Sequence, residues 1–384
     1  MQFEFSTAYR ILFGPGTAGQ IPDLVAQHGR RALLVLGSRP ERFRTLVDGI
    51  ASRAAACESF RVTGEPATDM VQAAVVAARR ADTQVVVALG GGSVLDTGKV
   101  VAAMLTNEGE LMDYLEVVGK GQALRNPAAP YIAAPTTAGT GAEVTYNAVL
   151  SVPEQHVKVS MRSPLMLPRY AVVDPLLTHS LPPALTASTG LDALTQLIET
   201  FVSNKASPLT DGVCREGLPR AGRSLRRAFE DGTDADARED MSLASLFSGI
   251  ALANARLGAV HGFAGPLGGV TSAPHGVICG KLLPHVMEVN VRALQDREAG
   301  SLALARFDEV GRILTGKSTA GASDAVLWIQ DLGRTFDLPG LRRYGLSEND
   351  FPAVVEKAKK ASSMKGNPIE LTDEELIEIL SLAQ

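Results

Sequence analysis

The pattern of hydrophobic and polar positions changes about half-way along the chain. In the first half, short continuous apolar runs end at Gly or Pro, which is typical of strands buried on both faces of a parallel sheet. These runs occupy residues 32–37, 85–90, 131–136 and 170–175. Helical periodicity over 70–81 and 94–105 separates successive runs, so the order predicts an α/β domain with right-handed crossovers.

From about residue 181 onward, the chain contains helical patterns and no convincing strand. The predicted helices span residues 182–203, 241–263, 276–294, 301–314 and 324–336. The charged stretch 223–240 is interpreted as a solvated helix end and loop. Prolines cluster around Thr178, where the pattern changes. We therefore predict an α/β domain over 1–178 and an all-helical domain over 179–384.

Composition and charge narrow the classes of protein to consider. The 384 residues are 45% hydrophobic and 21% charged, with a net charge of −5, which gives no electrostatic case for binding nucleic acid or an anionic membrane. The three cysteines have no paired spacing, which favours a reducing cytoplasm. The start of the chain lacks a signal-peptide pattern, and no stretch approaches the ~18 apolar residues of a membrane span.

A glycine-rich segment, ALGGGSVLDTGK over 88–99, follows a predicted strand and opens a predicted helix. Its glycines allow a sharp turn and a close approach of the backbone to a ligand. The N–H groups of Gly92 and Ser93 would lie at a helix N-terminus, where partial positive charge favours a pyrophosphate. A tight turn that needs glycine for geometry alone is the alternative.

A second glycine-punctuated loop, APTTAGTGAEVT over 134–145, follows another predicted strand. Thr136 and Thr137 offer hydroxyl groups there. Because ligands of parallel sheets lie beyond the carboxyl ends of the strands, the two loops together favour one shared ligand over two independent turns.

The end of the first predicted strand bears on the choice of dinucleotide. An enzyme strict for NAD usually has Asp or Glu near this point to hold the ribose 2′-hydroxyl. This chain has Gly37, Ser38 and Arg39 instead, a small residue and a guanidinium that could admit a 2′-phosphate. We expect NADPH to be accepted, with a solvated surface Arg39 as the alternative.

The segment GLDALTQ places Asp192 and Gln196 four residues apart, so that their polar groups lie about 6 Å apart on one helix face. With two histidines from other helices, they would make a four-ligand set for a divalent transition metal. His261 and His275 are the candidates, although a lone histidine on an apolar face is more often a satisfied core residue. Spacing along the chain does not show that these side chains meet.

Several motifs, taken in order, resemble the iron-containing (group III) alcohol dehydrogenases over nearly the whole chain. The matching stretches are ILFGPGTAGQIPDLV, GGGSVLDTGK, PTTAGTGAEVT, VVDPLLTHSLPPALTASTGLDAL, LGAVHGFAGPLGG, PHGVICGKLLPHVMEVN and NPIELTDEELIEIL. The resemblance implies a dehydroquinate synthase-like architecture: a Rossmann-like parallel sheet in an α/β N-terminal domain, then an all-α C-terminal domain, with a metal ion in the cleft between them. It also implies a homodimer.

The resemblance and the loops together give a set of expected site residues. Expected contacts of NAD or NADP are Gly37, Ser38, Gly91, Gly92, Ser93, Asp96, Thr136, Thr137, Thr145 and Lys158. Expected ligands of a divalent metal, Fe²⁺ or Zn²⁺, are Asp192, Gln196, His261 and His275. Lys158 and His261 are the expected catalytic residues. The implied reaction interconverts a small primary alcohol and its aldehyde by hydride transfer, with the metal as Lewis acid.

Two departures from the family pattern affect this expectation. Gln196 stands where a histidine ligand is usual, and a neutral amide oxygen is a weaker, harder donor than imidazole. Gly265 stands where a second histidine often follows His261, so a possible proton-relay imidazole is missing.

Three alternatives stay open on the sequence. One is a metal-independent reductase of the maleylacetate reductase type, in which Gln196 donates a hydrogen bond to the substrate oxygen. Another is a non-redox, dehydroquinate synthase-like enzyme, which the apolar segment LGAVHGFAGPLGGV makes less favoured. The third is a nucleotide-binding sensor without catalysis.

Restoring the imidazole tests the interpretation of position 196. Where position 196 supplies a ligand, as the resemblance implies, Gln196→His is expected to tighten metal binding by at least several-fold, because imidazole is the better donor for Fe²⁺ or Zn²⁺. Competition with a metal chelator measures the affinity of each protein. An unchanged or lower affinity would mean that position 196 does not face the metal.

Overall fold

The computed structural model describes residues 2–155 and 157–384 and divides them into two compact units. The first unit comprises Ser6–Thr137 and Gly141–His179. The second is formed mainly by Ser180–Gln384, which the short piece Ala138–Thr140 joins. The first unit holds the strands and the second is helical.

The first unit is built around a parallel sheet. Its strands are β1 (Arg10–Phe13), β2 (Arg31–Leu36), β3 (Ala56–Arg61), β4 (Val85–Gly90), β5 (Tyr131–Pro135), β6 (Asn147–Val152), β7 (Val157–Arg162) and β8 (Tyr170–Val173). Within the described residues, six strands pair in the order β1-β8-β5-β4-β2-β3, all parallel. Strands β6 and β7 form a separate antiparallel hairpin.

The central strands follow the predicted apolar runs. All four runs are confirmed as β2, β4, β5 and β8, and β4 and β5 are buried along their whole length. The register pairs Leu36 with Leu89 and Gly90 with Pro135. The carboxyl ends of β2, β4 and β5 are therefore level, and the loops that follow them start from one edge of the sheet.

Helices pack against both faces of this sheet. They are α1 (Ile21–His28), α2 (Arg44–Arg53), α3 (Thr68–Arg80), α4 (Gly92–Thr106) and the short α5 (Leu111–Tyr114). Two separate apolar clusters lie on the sheet, one including α3 and α4 and the other including α1. Helices α3 and α4 confirm the periodicity predicted over 70–81 and 94–105.

Strands β1 and β3 and the hairpin β6–β7 were not predicted. Strands β1 and β3 lie at the two edges of the sheet, and β3 (ACESFR) is largely exposed. An edge strand needs no continuous apolar run, because one side of it remains in contact with solvent. The rule that identified the central strands therefore does not find the edges.

The second unit is made of helices among its described residues. They are α6 (Pro183–Val202), α7 (Pro208–Glu230), α8 (Ala235–Asn254), α9 (Ala259–Val270), α10 (His275–Arg297), α11 (Leu302–Thr315), α12 (Ala322–Thr335), α13 (Phe351–Lys360) and α14 (Asp373–Leu382). A single apolar cluster joins them. The predictions over 182–203, 276–294, 301–314 and 324–336 are confirmed. Most of the predicted helix ends lie within about two residues of the observed ones, as expected for helix boundaries.

The interpretation of 223–240 as a helix end and loop is wrong over most of its length. Helix α7 continues to Glu230 and α8 begins at Ala235. The charges of this stretch pair across the two helices: Arg223 Nε lies 2.7 Å from Asp240 Oδ2, and Arg227 Nη2 lies 2.7 Å from Asp234 Oδ2. Mixed charge here reflects helix–helix pairing instead of a solvated loop.

The prediction of one helix over 241–263 is also wrong, because α8 and α9 are separate and bent by 96°. Side chains from elsewhere satisfy the first N–H groups of α9: Ala259 N donates to Asn367 Oδ1 (3.1 Å) and Val260 N donates to Glu199 Oε1 (2.7 Å). A Cβ at Gly258 would lie 2.9 Å from both acceptor oxygens, so glycine keeps them accessible. Among the described helices, none alone is long and apolar enough to cross a membrane; only this bent pair reaches that composition together.

A buried charged group lies beside the sheet. Lys99 is fully buried and donates to Asn147 O (2.6 Å) and Thr145 Oγ1 (3.0 Å), and its Nζ lies 3.6 Å from Asp96 Oδ1. Burial raises the pKa of Asp96 and lowers that of Lys99, and the attraction between them opposes both shifts. Burial also raises the pKa of Glu143 to about 7, against the smaller opposing effects of its backbone hydrogen bond and Lys99.

Removing the Glu143 charge is expected to change how stability depends on pH. The native pKa of about 7 lies above the ordinary value of 4.5, so the native state holds this proton more tightly. The resulting stabilisation is complete below pH 4.5 and is lost as pH rises through 7. Glu143→Gln should therefore raise the free energy of unfolding near pH 8 by up to about 3 kcal/mol and flatten its pH dependence.

Urea unfolding midpoints, measured at about pH 5 and about pH 8, test this expectation. Glu58→Gln, at an exposed position on β3, controls for the loss of a carboxylate as such. A Glu143→Gln protein that keeps the wild-type pH dependence would contradict the assignment.

Candidate active site

Helix α6 presents three polar side chains on one buried face. Asp192, Gln196 and Glu199 follow the helical spacing i, i+4 and i+7 and are only 2%, 3% and 4% exposed. Burying two carboxylates is costly unless each has partners. The partners come from helices far along the chain, and their positions define the site.

His261 lies between the two carboxylates. Its Nδ1 is 2.6 Å from Glu199 Oε2, and its Nε2 is 3.2 Å from Asp192 Oδ1. The break before α9 makes this placement possible, because it puts His261 in the first turn of a new helix beside α6. Glu199 accepts from the backbone of that turn as well as facing the imidazole, so it fixes both the turn and the ring.

Helix α10 contributes two more side chains from its N-terminal end. His275 Nε2 lies 3.6 Å from Asp192 Oδ1. Cys279, one turn later, has its Sγ 3.8 Å from Asp192 Oδ1, 3.8 Å from His261 Nε2 and 3.7 Å from His275 Nε2. A Cβ at Gly276 would overlap the backbone carbonyl of Ser188, so glycine allows α10 to approach α6 closely.

Four side chains therefore bring possible metal-ligand atoms together. One atom each from Asp192, His261, His275 and Cys279 lies within 4.8 Å of all the others. A carboxylate, two imidazoles and a thiol are donors suited to a divalent transition metal such as zinc. The residues present thus fit the metal that the sequence resemblance implies. Asp192, His261 and His275 were among the expected ligands.

Cys279 is the member that sequence reasoning missed. The signal was present, because His275 and Cys279 have the same i, i+4 spacing that drew attention to Asp192 and Gln196. The spacing between cysteines alone does not reveal this position.

Gln196 lies beside this group, and both ends of its amide form hydrogen bonds with protein side chains. Its Nε2 donates to Asp192 Oδ1 (3.1 Å), and its Oε1 accepts from Ser248 Oγ (2.9 Å). An ionised carboxylate only accepts hydrogen bonds, so the NH₂ group is the one that suits Asp192. The expected role of Gln196 as a metal ligand stays a prediction, and its amide oxygen faces Ser248 in this arrangement.

The ionisable groups of the cluster shift one another strongly. Burial raises the pKa of Asp192, but His275 and His261 outweigh it, and the pKa lies below its usual value. Burial lowers the pKa of His261, but Cys279, Glu199 and Asp192 raise it well above its usual value. Cys279 raises the pKa of His275, and the two imidazoles lower that of Cys279 against the effect of burial. The pKa shifts therefore favour the anionic forms of Asp192 and Cys279 beside the two imidazoles.

The first unit places the expected nucleotide loops side by side. Gly37 and Ser38 follow β2, Gly91, Gly92 and Ser93 follow β4, and Thr136 and Thr137 follow β5. A Cβ on Gly91 would lie 3.3 Å from Thr137 Cγ2, which shows how closely the last two loops approach. Helix α4 begins at Gly92 without a side-chain cap, so its first N–H groups suit an anionic ligand.

The other expected nucleotide contacts have protein partners. Asp96 accepts from Val149 N (2.9 Å), and Thr145 belongs to the buried Lys99 group. Lys158 lies on β7, where its Nζ is 2.6 Å from Glu65 Oε1. Contact of these three residues with a nucleotide remains a prediction.

A parallel sheet with glycine loops at its carboxyl edge, followed by helices that gather a carboxylate, imidazoles and a thiol, is typical of metal-dependent dehydrogenases that use a dinucleotide. Sequence comparison agrees. The profile "Iron-containing alcohol dehydrogenase" matches residues 8–175, and "Fe-containing alcohol dehydrogenase family, C-terminal" matches residues 186–384. The chain belongs to the iron-containing alcohol dehydrogenase family.

Individual relatives support the same assignment. The 1,3-propanediol dehydrogenase of Klebsiella pneumoniae is 36% identical, with 99% of this chain and 98% of that protein aligned. The NAD-dependent methanol dehydrogenase of Bacillus methanolicus is 32% identical over 83% of this chain and 82% of its own. A crystal structure of 1,3-propanediol oxidoreductase superimposes with a TM-score of 0.90, at 31% identity and full coverage of both chains. The chain is therefore an oxidoreductase of the alcohol dehydrogenase type, and the predicted dehydroquinate synthase-like fold is confirmed.

Glu199 offers a test of how the site is held. In Glu199→Gln, the amide oxygen can still accept from Val260 N, but the NH₂ group then faces His261 Nδ1. The imidazole must move its proton to Nε2, which removes the lone pair that faces Asp192. Metal affinity should fall roughly 10–100-fold, as for other groups that orient a metal-ligating histidine.

Chelator competition with Zn²⁺ or Co²⁺ measures this affinity. Glu356→Gln, which breaks an exposed ion pair with Lys360 in the same unit, is the control and should bind metal as the wild type does. Equal affinities for the Glu199→Gln and wild-type proteins would show that Glu199 does not orient His261.

Proposed function

We propose that this protein interconverts a small primary alcohol and its aldehyde, or a related oxo compound, by hydride transfer to or from NAD or NADP. A divalent metal, Fe²⁺ or Zn²⁺, assists the reaction. The observation that carries the proposal is the convergence of Asp192 on α6 with His261 and His275, which lie at the beginning of two helices much later in the chain. No sequence motif requires this convergence, and a purely structural core would not gather these donors.

The metal, when bound, supplies a Lewis acid that polarises the carbonyl group and stabilises the alkoxide. The chain's own residues hold and orient it: Asp192, His261 and His275 are proposed ligands, with Gln196 beside them. Glu199 holds His261 in the tautomer that leaves Nε2 available. His261 is also the proposed catalytic residue of this group.

The first unit is proposed to bind the dinucleotide through the loops after β2, β4 and β5. Gly37, Ser38, Gly91, Gly92, Ser93, Thr136 and Thr137 supply backbone and hydroxyl contacts at these loops. Asp96, Thr145 and Lys158 complete the proposed set, with Lys158 as a fixed positive charge and catalytic residue. Ser38 and Arg39 are exposed at the end of β2, which supports acceptance of NADPH as well as NADH.

The two domains are proposed to divide this work, with nucleotide binding in 1–178 and metal binding and catalysis in 179–384. Cys57, Cys214 and Cys279 are free thiols, which suits the proposed cytoplasmic location. A homodimer is proposed from the family resemblance. Small and weakly polar substrates are proposed from the apolar composition of the segment around His261.

The metal-independent and non-redox alternatives are less favoured. The metal-independent alternative would leave the buried set of carboxylate, imidazole and thiol donors without a role. The apolar segment LGAVHGFAGPLGGV disfavours the non-redox alternative. The relatives are named for dehydrogenase activities on simple alcohols and diols.

The test is a set of rate measurements on protein purified without added metal. Short aldehydes are reduced with NADPH or NADH, before and after chelation and after return of Zn²⁺ or Fe²⁺. Chelation is expected to lower the rate at least ~100-fold, the scale expected when Lewis-acid assistance of several kcal/mol is lost. Returning the metal should restore the rate.

Asp192→Asn provides the matched variant, because it removes the charge but keeps the shape of the side chain. It should behave like the chelated wild type and resist rescue by added metal. Full activity in the presence of chelator, with no bound metal by elemental analysis, would defeat the metal-assisted reaction. A KM for NADPH far above that for NADH would refute the expectation for the nucleotide.

A further inference from the structure

We propose that Cys279 supplies a thiolate ligand to the divalent cation, so that the donor set is Asp192, His261, His275 and Cys279. Gln196 then positions Asp192 and does not itself bind the cation. This inference rests on the proposed metal-assisted function and specifies the ligands of that site. It departs from the ligand set that the family resemblance implied, in which a donor at position 196 completes the site.

Five of the six distances between the four donor atoms match a tetrahedral site. With zinc bonds of roughly 2.0–2.1 Å to N or O and roughly 2.3 Å to S, tetrahedral angles separate N and O donors by about 3.3 Å, and S from N or O by about 3.6 Å. The His261 and His275 Nε2 atoms lie 3.2 and 3.6 Å from Asp192 Oδ1. Cys279 Sγ lies 3.7–3.8 Å from all three.

Five of the six edges of the tetrahedron therefore agree with a coordination site to within about 0.3 Å. The sixth, between the two imidazoles, is at most 4.8 Å. Cys279 contacts each of the other three donors, whereas an ordinary buried cysteine packs among apolar groups. The thiol therefore belongs to the polar group as well as to the apolar core around it.

The local chain geometry fixes the cysteine in this position. His275 and Cys279 lie one turn apart on α10, so both face α6, and Cys279 is fully buried. Gly276 lies between them, and its lack of a side chain lets this turn sit directly on Ser188 of α6.

The other two cysteines lack such surroundings. Cys214 Sγ is 3.3 Å from Thr200 Oγ1 in the apolar core, and Cys57 is half-buried on β3 in the other unit. Cys214 and Cys57 therefore serve as internal controls for the thiol of Cys279.

The hydrogen bonds of Gln196 explain what it does in place of coordination. Its NH₂ group holds Asp192 Oδ1, and Ser248 holds the amide oxygen. Rotating the amide to offer its oxygen would place two acceptors face to face at Asp192. Gln196 is thus a positioning residue that keeps the carboxylate aimed at the other donors.

The thiolate changes the charge and selectivity of the site. Binding forms a bond from Sγ to the cation and releases the thiol proton to solvent. The two anionic donors, Asp192 and Cys279, neutralise a divalent cation, whereas one carboxylate with three imidazoles leaves a charge of +1. Soft thiolate favours Zn²⁺ and Co²⁺ over Mn²⁺ and Mg²⁺. Zinc also tolerates a fifth ligand, so four protein donors are compatible with catalysis.

The experiment uses Co²⁺ bound to the full-length, metal-free protein. A thiolate ligand gives an intense near-ultraviolet charge-transfer band, whereas oxygen and nitrogen donors alone give only weak visible bands. The wild type is expected to show the band at one equivalent of Co²⁺. Cys279→Ser and Cys279→Ala should lose it, whereas Cys57→Ser, Cys214→Ser and Gln196→Ala should keep it.

Competition between Zn²⁺ and Mn²⁺ gives a second readout. The preference for Zn²⁺ should fall at least ~10-fold in Cys279→Ser, because the remaining donors are harder. Circular dichroism checks that the variants are folded. If a Cys279 variant does not fold, a band kept in both Cys57→Ser and Cys214→Ser still assigns the thiolate to Cys279, and its absence from the wild type still overturns the proposal.

The outcomes separate this inference from the proposed function. Co²⁺ bound at one equivalent without the band, or a band that persists in both Cys279 variants, overturns the thiolate ligand and leaves metal-assisted catalysis intact. Loss of the band in Gln196→Ala but not in the Cys279 variants overturns it as well. No bound metal together with full activity in chelator defeats both proposals.

Discussion

One carboxylate oxygen organises the helical unit. Asp192 Oδ1 is within 3.1–3.8 Å of an amide, two imidazoles and a thiol, which come from α6, α9 and α10. The side chain is almost completely buried, and a charge in that position is strongly destabilising unless partners surround it. The three helices must therefore meet at this point for the unit to fold with Asp192 ionised. The break between α8 and α9 and the close approach of α10 to α6 both serve that requirement.

A second layer of polar contacts makes the arrangement rigid. Glu199 joins the imidazole of His261 to the first turn of α9, and Asn367 caps the same turn. Asn367 also exchanges hydrogen bonds with Asn290 of α10, at 2.6 and 3.1 Å. The C-terminal motif that begins NPIELT thus has a physical role: its first residue ties α9 to α10 behind the donor atoms. Buried polar networks of this kind stabilise one geometry because each unmet group is costly.

The sequence predicted those parts of the fold that depend on local patterns. Strands buried on both faces, such as β4, carry continuous apolar runs, and the long helices carry a clear period. Edge strand β3 was not predicted, because an edge strand needs no such run. The break before α9 was not predicted, because it depends on Glu199 and Asn367, which are about 60 and 108 residues away along the chain. The expected donors Asp192, His261 and His275 were found by residue type and family resemblance, but their meeting is a property of the packed helices.

Cys279 shows why a binding site is better described by its converging atoms than by its motif. The family resemblance implies a metal ligand at position 196, on α6, where this chain has the amide of Gln196. A cation responds only to the type, number and geometry of the atoms around it. Helix α10 offers the same i, i+4 spacing as α6 and faces the same carboxylate, so a donor can be placed there without moving any backbone element. In the proposed site, Gln196 on α6 orients the carboxylate of Asp192, and Cys279 on α10 supplies the fourth donor. Replacing a neutral donor at position 196 by the Cys279 thiolate keeps the number of donors at four. It lowers the net charge of the site with its divalent cation from +1 to zero. It therefore alters the cation that the protein selects before it alters the fold.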